Sequence, residues 1–484
     1  MTSLRVDWLL ARPGAEPARR GAQIELDADR IAGISAAPFE GRGLIALPGL
    51  VNAHDHAKAV RSSALGAFDR PLESWTFYLG LVPGIDAWRA AATSLARSAL
   101  RGAGRVMVHY TRMQGLTDPV TEARDVARAA RDTGVQAGFA VAMRDRNPIA
   151  YAETALVLEH LPPEIREPVR ARLALPSRSV AEQMTLVEEI AAACHAPGFN
   201  VQYGPRGVQW CSDEMLRAIA EASARNGRQV HMHLMETRYQ REWADRAYPQ
   251  GVVAFLRDIG FLGPRLTLAH CAWCRPDELE MIAESGAVIA VNTSSNLGLR
   301  SGIAPVAEMV KRGCRVAMGL DGLALDDDDD SLRELRLLYH LHKGWGYEET
   351  VTTAQAWQFA SRHGRHSVSG LAGGGTLAQG EPADLLVLDG RALMDDRLFD
   401  EVEPLDFVLA RANASHIRRV IVGGNTIVED GKVLGIDYPA LMSEMMAELR
   451  ARLDSDDSWR GTVRRLDAAL RPFYLQARHF GCGT

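Results

Sequence analysis

The sequence predicts an α/β protein, a (β/α)8 barrel of the TIM type with a small composite β-sandwich domain built from both chain ends. Apolar segments of strand length alternate with capped helical segments through the middle of the chain, over about 320 residues. Short strands with tight turns occupy both ends instead. A doubly wound open sheet is the alternative, but no Gly-x-Gly-x-x-Gly follows the first apolar strand.

Both chain ends show the pattern of one small β domain. Strand patterns at 24–26 and 31–34 flank a turn, and strand and hairpin patterns return at 383–389 and 420–428. The first piece is too short to bury a core of its own. The predicted domains are 1–47 and 372–437 for the two parts of the β-sandwich, 48–371 for the barrel and 438–484 for a C-terminal helical tail. Apolar residues at helical spacing predict the tail helix, namely Leu441, Met445, Met446, Leu449 and Leu453.

Eight apolar segments predict the barrel strands, at 44–50, 105–110, 136–142, 199–203, 229–233, 266–270, 287–291 and 315–320. Helices with recognisable ends separate several of them. Asp118 caps a helix that opens with Pro119 and closes at Gly134. The acidic run from Asp326 to Asp330 precedes a helix near Ser331, where negative charge favours a helix N-terminus. We interpret that run as a cap and not as a second metal site.

Composition limits the classes of function. A chain of 484 residues with 47% hydrophobic and 24% charged residues is ordinary for a soluble globular protein. The net charge of −6 is small, so we expect no nucleic-acid or membrane partner. No apolar run approaches the roughly 20 residues of a membrane span. The N-terminus lacks a secretory pattern, and six cysteines are too few for a disulfide scaffold, which together predict the cytoplasm.

Histidines and acids stand at the predicted C-terminal ends of the strands, where barrels of this type carry their chemistry. They are His54 and His56 after the first strand, His233 and Glu236 after the fifth, His270 after the sixth and Asp321 after the eighth. Residues two apart on a strand share a face, so His54 and His56 can aim at one point. Three imidazoles and a carboxylate suit a zinc or iron ion that keeps a position for water. Each residue alone has a structural alternative, but four strand ends together favour a metal site.

Five short motifs carry a resemblance to a known family. They are Pro-Gly-Leu-Val-Asn-Ala-His-Asp-His at 48–56, His-Met-His-Leu-Met-Glu-Thr at 231–237, Ala-His-Cys at 269–271, Ser-Asn-Leu-Gly-Leu-Arg-Ser-Gly-Ile-Ala-Pro-Val at 295–306 and Gly-Leu-Asp-Gly at 319–322. Together they resemble the amidohydrolase superfamily, in its branch of cytosine-deaminase-like and chlorohydrolase-like enzymes. This branch includes atrazine chlorohydrolase and the guanine and S-adenosylhomocysteine deaminases. The resemblance runs from about residue 21 to 437.

The resemblance implies the composition of the site. It implies that one divalent metal, zinc or alternatively iron, is bound by His54, His56, His233 and Asp321. Glu236 and His270 then perform acid-base and electrostatic work, and Asp321 can also accept the proton from water. No carboxylated lysine is expected, because the fourth strand offers no lysine near 201–203. His231 is expected in a supporting position within the barrel, and Asp55 in a turn or supporting role.

The residue types also fit a mechanism. A metal lowers the pKa of its water and creates a hydroxide nucleophile. Glu236 can pass a proton to a ring nitrogen of the substrate, and His270 can hold the hydroxide or the developing oxyanion. We therefore predict a metal-dependent aminohydrolase that releases ammonia from an amino-substituted nitrogen heterocycle or an amidine-like carbon. Such an enzyme is a hydrolase of non-peptide carbon-nitrogen bonds.

Two alternatives stay open at this point. Another leaving group, such as chloride, an alkylamine or a cyclic amide, would use the same metal ligands, because variable loops choose the leaving group. A non-catalytic metal-binding homologue would have a closed four-ligand site and no use for Glu236. The resemblance also suggests a homo-oligomer.

Residues near the other strand ends are candidates for substrate contacts. They are Trp75, Arg112, Gln114, Arg144, Arg206, Gln209 and Trp210. The arginines could grip a substrate carboxylate through bidentate hydrogen bonds, although surface or structural roles are the alternative. The two tryptophans could stack on a flat ring or simply pack in the core.

Overall fold

The computed structural model describes residues 2–41, 43–322, 327–453 and 458–480. Its strands are β1 (Thr2–Leu9), β2 (Arg19–Asp27), β3 (Arg30–Ala36), β4 (Leu44–Pro48), β5 (Leu50–Asp55), β6 (Ala103–Tyr110), β7 (Gln136–Met143), β8 (Phe199–Pro205), β9 (Val230–Leu234), β10 (Leu266–His270), β11 (Val288–Val291), β12 (Arg315–Met318), β13 (Leu385–Asp389), β14 (Ile417–Val422), β15 (Asn425–Glu429) and β16 (Lys432–Val433).

The helices lie between and after these strands. They are α1 (Leu72–Leu79), α2 (Ala87–Leu100), α3 (Pro119–Thr133), α4 (Thr154–His160), α5 (Pro163–Leu173), α6 (Val180–Cys194), α7 (Asp213–Asn226), α8 (Arg238–Ala247), α9 (Val252–Asp258), α10 (Pro276–Ser285), α11 (Thr293–Gly298), α12 (Val306–Lys311), α13 (Ser331–His342), α14 (Thr353–Gln358), α15 (Gly364–Ser369), α16 (Gly390–Leu393), α17 (Pro404–Arg411), α18 (Tyr438–Arg452) and α19 (Ser458–Leu475). Among the described residues, no helix combines the length and apolar character that crossing a bilayer requires.

Strands β5 to β12 form one parallel sheet in which each strand pairs with the next along the chain. The ring closes where the main-chain N–H groups of Leu320 and Asp321 donate to the carbonyl of His54, at 3.2 and 2.8 Å. Gly319 permits this approach, because a Cβ there would lie 2.9 Å from the His54 main-chain nitrogen. The predicted (β/α)8 barrel is confirmed.

The second sheet joins the two chain ends in the order β16-β15-β14-β13-β4-β1-β2-β3. Its centre is the antiparallel pair of β4 with β13, in which Leu47 lies opposite Leu386. The predicted composite β domain is therefore confirmed. The domain boundaries assigned from the sequence stay a prediction.

One predicted barrel strand is wrong in its extent. The segment 44–50 divides into β4, which belongs to the small sheet, and the start of β5 in the barrel. The chain changes sheet at Gly49, whose N–H donates to the Asp384 carbonyl at 2.9 Å. A Cβ at Gly49 would lie 3.2 Å from the carbonyl carbon of Asp384, so a residue without a side chain suits this crossing.

The helical tail also differs in extent from its prediction. Leu441, Met445 and Leu449 are buried on α18 as the spacing predicted, but α18 ends at Arg452 and Leu453 is 56% exposed. A second helix, α19, follows and packs on α1. Of the acidic run, Asp330 caps α13 through the Leu332 and Arg333 N–H groups, and Asp326 lies outside the described residues.

A buried ion pair joins the barrel to the small sheet. Arg105 on β6 donates from Nε and Nη2 to the two carboxylate oxygens of Asp384, at 2.8 and 3.0 Å. The side chains are 5% and 14% exposed, and Asp384 also accepts from the Gly423 N–H at 2.8 Å. The charge of the Arg105 guanidinium is therefore balanced by the Asp384 carboxylate in a largely buried interface.

Asp384→Ala should destabilise the protein by about 3–5 kcal/mol, because it leaves Arg105 buried without its counter-charge. The free energy of unfolding in urea measures this. Asp396→Ala is the matched control, since the Asp396 side chain is 66% exposed in its pair with Arg411 and should change the free energy of unfolding little. Equal losses in the two variants would contradict the role of the buried pair.

Candidate metal centre

Four side chains converge at the C-terminal end of the barrel. Nε2 of His56 lies 2.9 Å and Nε2 of His54 lies 3.4 Å from Oδ1 of Asp321. Nε2 of His233 lies 3.4 Å from Nε2 of His56. The four residues that the resemblance implied as ligands thus meet at one point, although they come from strands β5 and β9 and from the end of β12.

Main-chain carbonyls orient two of the imidazoles. His56 Nδ1 lies 2.7 Å from the carbonyl of His109, and His233 Nδ1 lies 2.7 Å from the carbonyl of Arg206. A carbonyl only accepts, so each Nδ1 carries the proton. The Nε2 lone pairs of both rings are consequently directed into the cluster.

The protonation states suit a cation. Burial lowers the pKa of His54 to about 3 and holds the pKa of His233 well below its usual value. Burial alone would raise the pKa of Asp321, but the positive charge of Lys58 and the neighbouring imidazoles of His54 and His56 hold it well below the usual range. The cluster therefore presents neutral imidazoles at His54 and His233 and an ionised carboxylate at Asp321.

Unpartnered polar atoms supply an independent test of whether a metal fits. Nε2 of His54 and Oδ1 of Asp321 are buried with no hydrogen-bond partner in the described part of the chain. Buried polar atoms are normally paired, so two such atoms 3.4 Å apart point to a shared ligand. Nitrogen and oxygen donors of this set fit zinc or a related divalent ion.

The backbone is strained where the strands deliver these residues. Met235, His270 and Asp321 have φ angles of 49°, 75° and 58°, in the left-handed region that side chains rarely adopt. Such conformations cluster at functional sites, where surrounding structure holds them in place.

Glu236 and His270 lie beside the ligand cluster. Nε2 of His270 is 3.7 Å from Oε2 of Glu236, and Oε1 of Glu236 is buried without a partner among the residues described. Burial raises the pKa of Glu236 well above its usual value, and the charges of Asp321 and Glu73 add to this. A carboxyl of this kind keeps its proton toward neutral pH and can donate it.

Sequence reasoning missed several polar residues that shape this site. Lys58 donates from Nζ to the Asp321 carbonyl at 2.9 Å, and Ser295 Oγ donates to Asp321 Oδ2 at 2.5 Å. Asn296 Oδ1 lies 2.9 Å from His270 Nδ1. His109, whose carbonyl holds His56, was detectable as a histidine that follows the apolar residues 106–108 of strand β6. Ser295 and Asn296 stand inside one of the motifs above.

The two residues expected in supporting roles lie next to the ligands. His231 Nε2 is 2.7 Å from His54 Nδ1 inside the barrel. Asp55 is buried at the end of β5, where Oδ1 accepts from the His56 and Ala57 N–H groups at 2.7 and 2.8 Å.

Four of the seven predicted substrate contacts line two cavities. Arg144 and Arg206 line one cavity of about 290 Å³, whereas Arg112 and Gln114 line another of about 70 Å³ that also reaches His56. Arg112 donates to the carbonyls of Leu79 and Val82, and the Gln114 side chain accepts from the Ile85 N–H. Both are therefore engaged by the main chain.

The remaining three candidates are packed. Gln209 is buried, and both polar atoms of its amide lack a partner among the described residues. Trp75 is 4% exposed and donates to Ser62 Oγ at 3.1 Å, with Lys58 Nζ 4.2 Å from its ring centroid. Trp210 packs edge-on against Tyr151. Contact of any of these residues with substrate stays a prediction.

The barrel strands are parallel, and imidazoles and a carboxylate meet at their C-terminal ends. These two features define a class of protein, the (β/α)8 barrels with a cluster of potential metal ligands at that end. A sequence profile of the amidohydrolase family matches residues 45–427. The chain belongs to this family, as its motifs indicated.

Several relatives of known name are deaminases. The 5'-deoxyadenosine deaminase of Methanosarcina barkeri is 33% identical over 246 residues, which are 51% of this chain and 56% of that protein. The corresponding enzyme of Methanosarcina mazei is 32% identical, with 59% of its length covered. The chain thus spans little more than half of these two relatives. The 5-methylthioadenosine/S-adenosylhomocysteine deaminase of Aquifex aeolicus is 27% identical over 88% of this chain and 91% of its own.

Solved structures share the fold. Atrazine chlorohydrolase from Arthrobacter aurescens, complexed with zinc and atraton, has a TM-score of 0.76 at 21% identity, covering 93% of this chain and 100% of its own. An adenosine deaminase from Xanthomonas campestris with bound zinc has a TM-score of 0.73 at 20% identity, with 96% and 98% covered. At these identities the likeness shows the fold alone.

Asp321→Asn and His56→Ala should each lower the metal content of the purified protein, because each removes a charge or a lone pair from the cluster. Elemental analysis after dialysis measures the metal bound per chain. His340→Ala, a substitution on the remote helix α13, serves as the control. Unchanged metal content in both site variants would contradict the ligand assignment.

Proposed function

We propose that this protein is a metal-dependent aminohydrolase that displaces ammonia from an amino-substituted nitrogen heterocycle. The observation that carries the proposal is the carboxyl of Glu236, which is buried beside the ligand cluster and unpartnered at Oε1, and whose pKa burial raises. The names of the relatives support an adenine-type ring as the first substrate class to test.

One divalent metal would be held by His54, His56, His233 and Asp321, with zinc as the first choice and iron as the alternative. When bound, such an ion supplies the nucleophile by lowering the pKa of a water molecule toward neutrality. The zinc of the two solved relatives supports this choice of metal.

The chain's own residues then handle the protons. Glu236 donates from its carboxyl to a ring nitrogen, which makes the neighbouring carbon more electrophilic. Asn296 lies at Nδ1 of His270, and Nε2 of that ring, 3.7 Å from Glu236 and 3.4 Å from Nδ2 of Asn292, faces the position of the reacting oxygen. The Asp321 carboxylate, ionised and next to the cluster, accepts the proton that water loses.

Displacement of another group is the second candidate, because the chlorohydrolase shares this fold. The ligand cluster serves both reactions equally, and the deaminase relatives favour ammonia. A non-catalytic homologue is disfavoured, since a buried acid without a partner is costly unless it acts on a ligand. The cytoplasmic location and the homo-oligomer stay predictions.

The arginine cavity supports a substrate that carries a carboxylate. The arginines that the structure buries each pair with a carboxylate, namely Arg97, Arg105, Arg241 and Arg365. Arg144 and Arg206 are partly buried, yet no carboxylate of the described residues pairs with either. Burial and, secondly, the charge of Arg144 lower the pKa of Arg206 to about 9. An anion between the two would relieve both effects.

Glu236→Gln should retain metal and lose most ammonia release, by roughly 100-fold or more, because the amide cannot supply the proton. Ammonia would be assayed with a panel of aminopurines, aminopyrimidines and aminotriazines on metal-quantified protein. Glu214→Gln, an exposed substitution on α7, is the control. Turnover that survives in Glu236→Gln would remove Glu236 as the proton donor, and chloride release without ammonia would select the second candidate.

Arg206→Met should raise KM for carboxylated substrates by on the order of 10- to 100-fold, because the substrate carboxylate loses a charge-assisted hydrogen bond. The same variant on the parent ring without a carboxylate is the matched control and should show little change in KM. An equal effect on both substrates would show that Arg206 supports the site and does not recognise the anion.

A further inference from the structure

The three imidazoles of the ligand cluster differ in what orients them. His56 and His233 each direct Nδ1 to a main-chain carbonyl at 2.7 Å. Nδ1 of His54 instead meets a side-chain atom, Nε2 of His231, at 2.7 Å. Thr111 Oγ1 also lies 3.1 Å from Nδ1 of His56, but only His54 among the three has its Nδ1 placed by a side chain without a main-chain carbonyl.

The geometry of the His54–His231 contact is that of a full hydrogen bond. Both side chains are 0% exposed, and the rings lie 11° from parallel with centroids 4.9 Å apart. Two nitrogens at 2.7 Å require one proton between them. If His54 is to offer the Nε2 lone pair to a metal, its own proton must be on Nδ1.

We propose that His231 is a positioning residue for the metal, whose Nε2 accepts the Nδ1 proton of His54 and so keeps the Nε2 lone pair of His54 directed into the cluster. The proposal rests on the metal centre of the proposed function. A hydrogen bond of this kind fixes the tautomer and the ring orientation of a ligand, and raises its basicity.

His109 favours the tautomer that this arrangement requires. If His231 accepts at Nε2, its proton is on Nδ1. His109 Nε2 lies 3.0 Å from the Gly204 carbonyl, so His109 carries its proton there and a lone pair on Nδ1. One nitrogen from each of His54, His109 and His231 lies within 4.8 Å of the others. Nδ1 of His231 and Nδ1 of His109 are both buried without a hydrogen-bond partner among the described residues, and a donor beside an acceptor is electrostatically better there than two like atoms.

These three imidazoles do not form a second metal site. Nδ1 of His54 and Nε2 of His231 are already engaged with each other at 2.7 Å. His54 would also have to lose both protons to bind one ion from each nitrogen, which a neutral imidazole does not do. The proposal therefore predicts one divalent ion per chain and not two.

The test compares three substitutions at one position in the full-length protein, with zinc affinity measured by competition with a chromogenic chelator. His231→Leu removes the acceptor and should weaken zinc binding by roughly 10- to 100-fold. His231→Asn places its oxygen short of the Nε2 position and should weaken binding similarly. His231→Gln carries an acceptor close to the Nε2 position and should recover most of the affinity.

Stability is followed in parallel, because a buried histidine could act through packing alone. His342→Leu is the control for loss of a buried imidazole, since His342 is 8% exposed at the last residue of α13 and contacts none of the proposed ligands. It should leave zinc affinity unchanged. Asn and Gln are similarly polar, so a difference in zinc affinity between those two variants reports the reach of the acceptor and not folding.

Equal zinc affinity in the wild type and in the Leu and Asn variants would overturn the proposal, and so would two ions bound per wild-type chain. A wild-type protein that binds no divalent metal would contradict the proposed metal centre itself, which is a different failure. Zinc binding that falls in Leu and Asn and returns in Gln would support it.

Discussion

The hydrogen bonds from the Leu320 and Asp321 N–H groups to the carbonyl of His54 close the barrel, and the candidate site depends on them. They bring the first and last barrel strands into contact at the point where both carry a proposed ligand. Gly319 makes the approach possible, since a Cβ would meet both His54 and the Asn292 side chain. The hydrogen bonds that close the barrel therefore also place His54 beside Asp321.

Burial at the same end of the barrel leaves two carboxyl groups, Asp321 and Glu236, in opposite protonation states. Both Asp321 and Glu236 are buried, and burial by itself raises the pKa of each. Asp321 has Lys58 and two imidazoles around it and remains ionised. Glu236 has the negative charges of Asp321 and Glu73 nearby and keeps its proton. A pair of acids with pKa values moved apart supplies a base and an acid in one cavity, which hydrolysis at a ring carbon requires.

The sequence was sufficient where the information is local. Strand periodicity and helix caps predicted the barrel, and histidines at strand ends predicted which residues would meet. The division at Gly49 was not predictable, because β4 and β5 are both apolar and the contact that separates them is with Asp384, distant in sequence. Arg112 was similarly ambiguous, since its main-chain partners on and after α1 follow from loop geometry. Long-range contacts of this kind leave no periodic pattern.

Imidazoles within the barrel require hydrogen-bond partners, which apolar side chains would not. Interiors of this fold are usually filled by branched side chains from alternate strands. Here His54 on β5 and His231 on β9, four strands apart in a ring of eight, meet across the centre. A buried polar layer is stable only when its members satisfy one another. Removing His231 would therefore affect the packing and also the direction in which His54 presents its lone pair. Through this hydrogen bond, the interior of the barrel influences the metal affinity of the site at its C-terminal end.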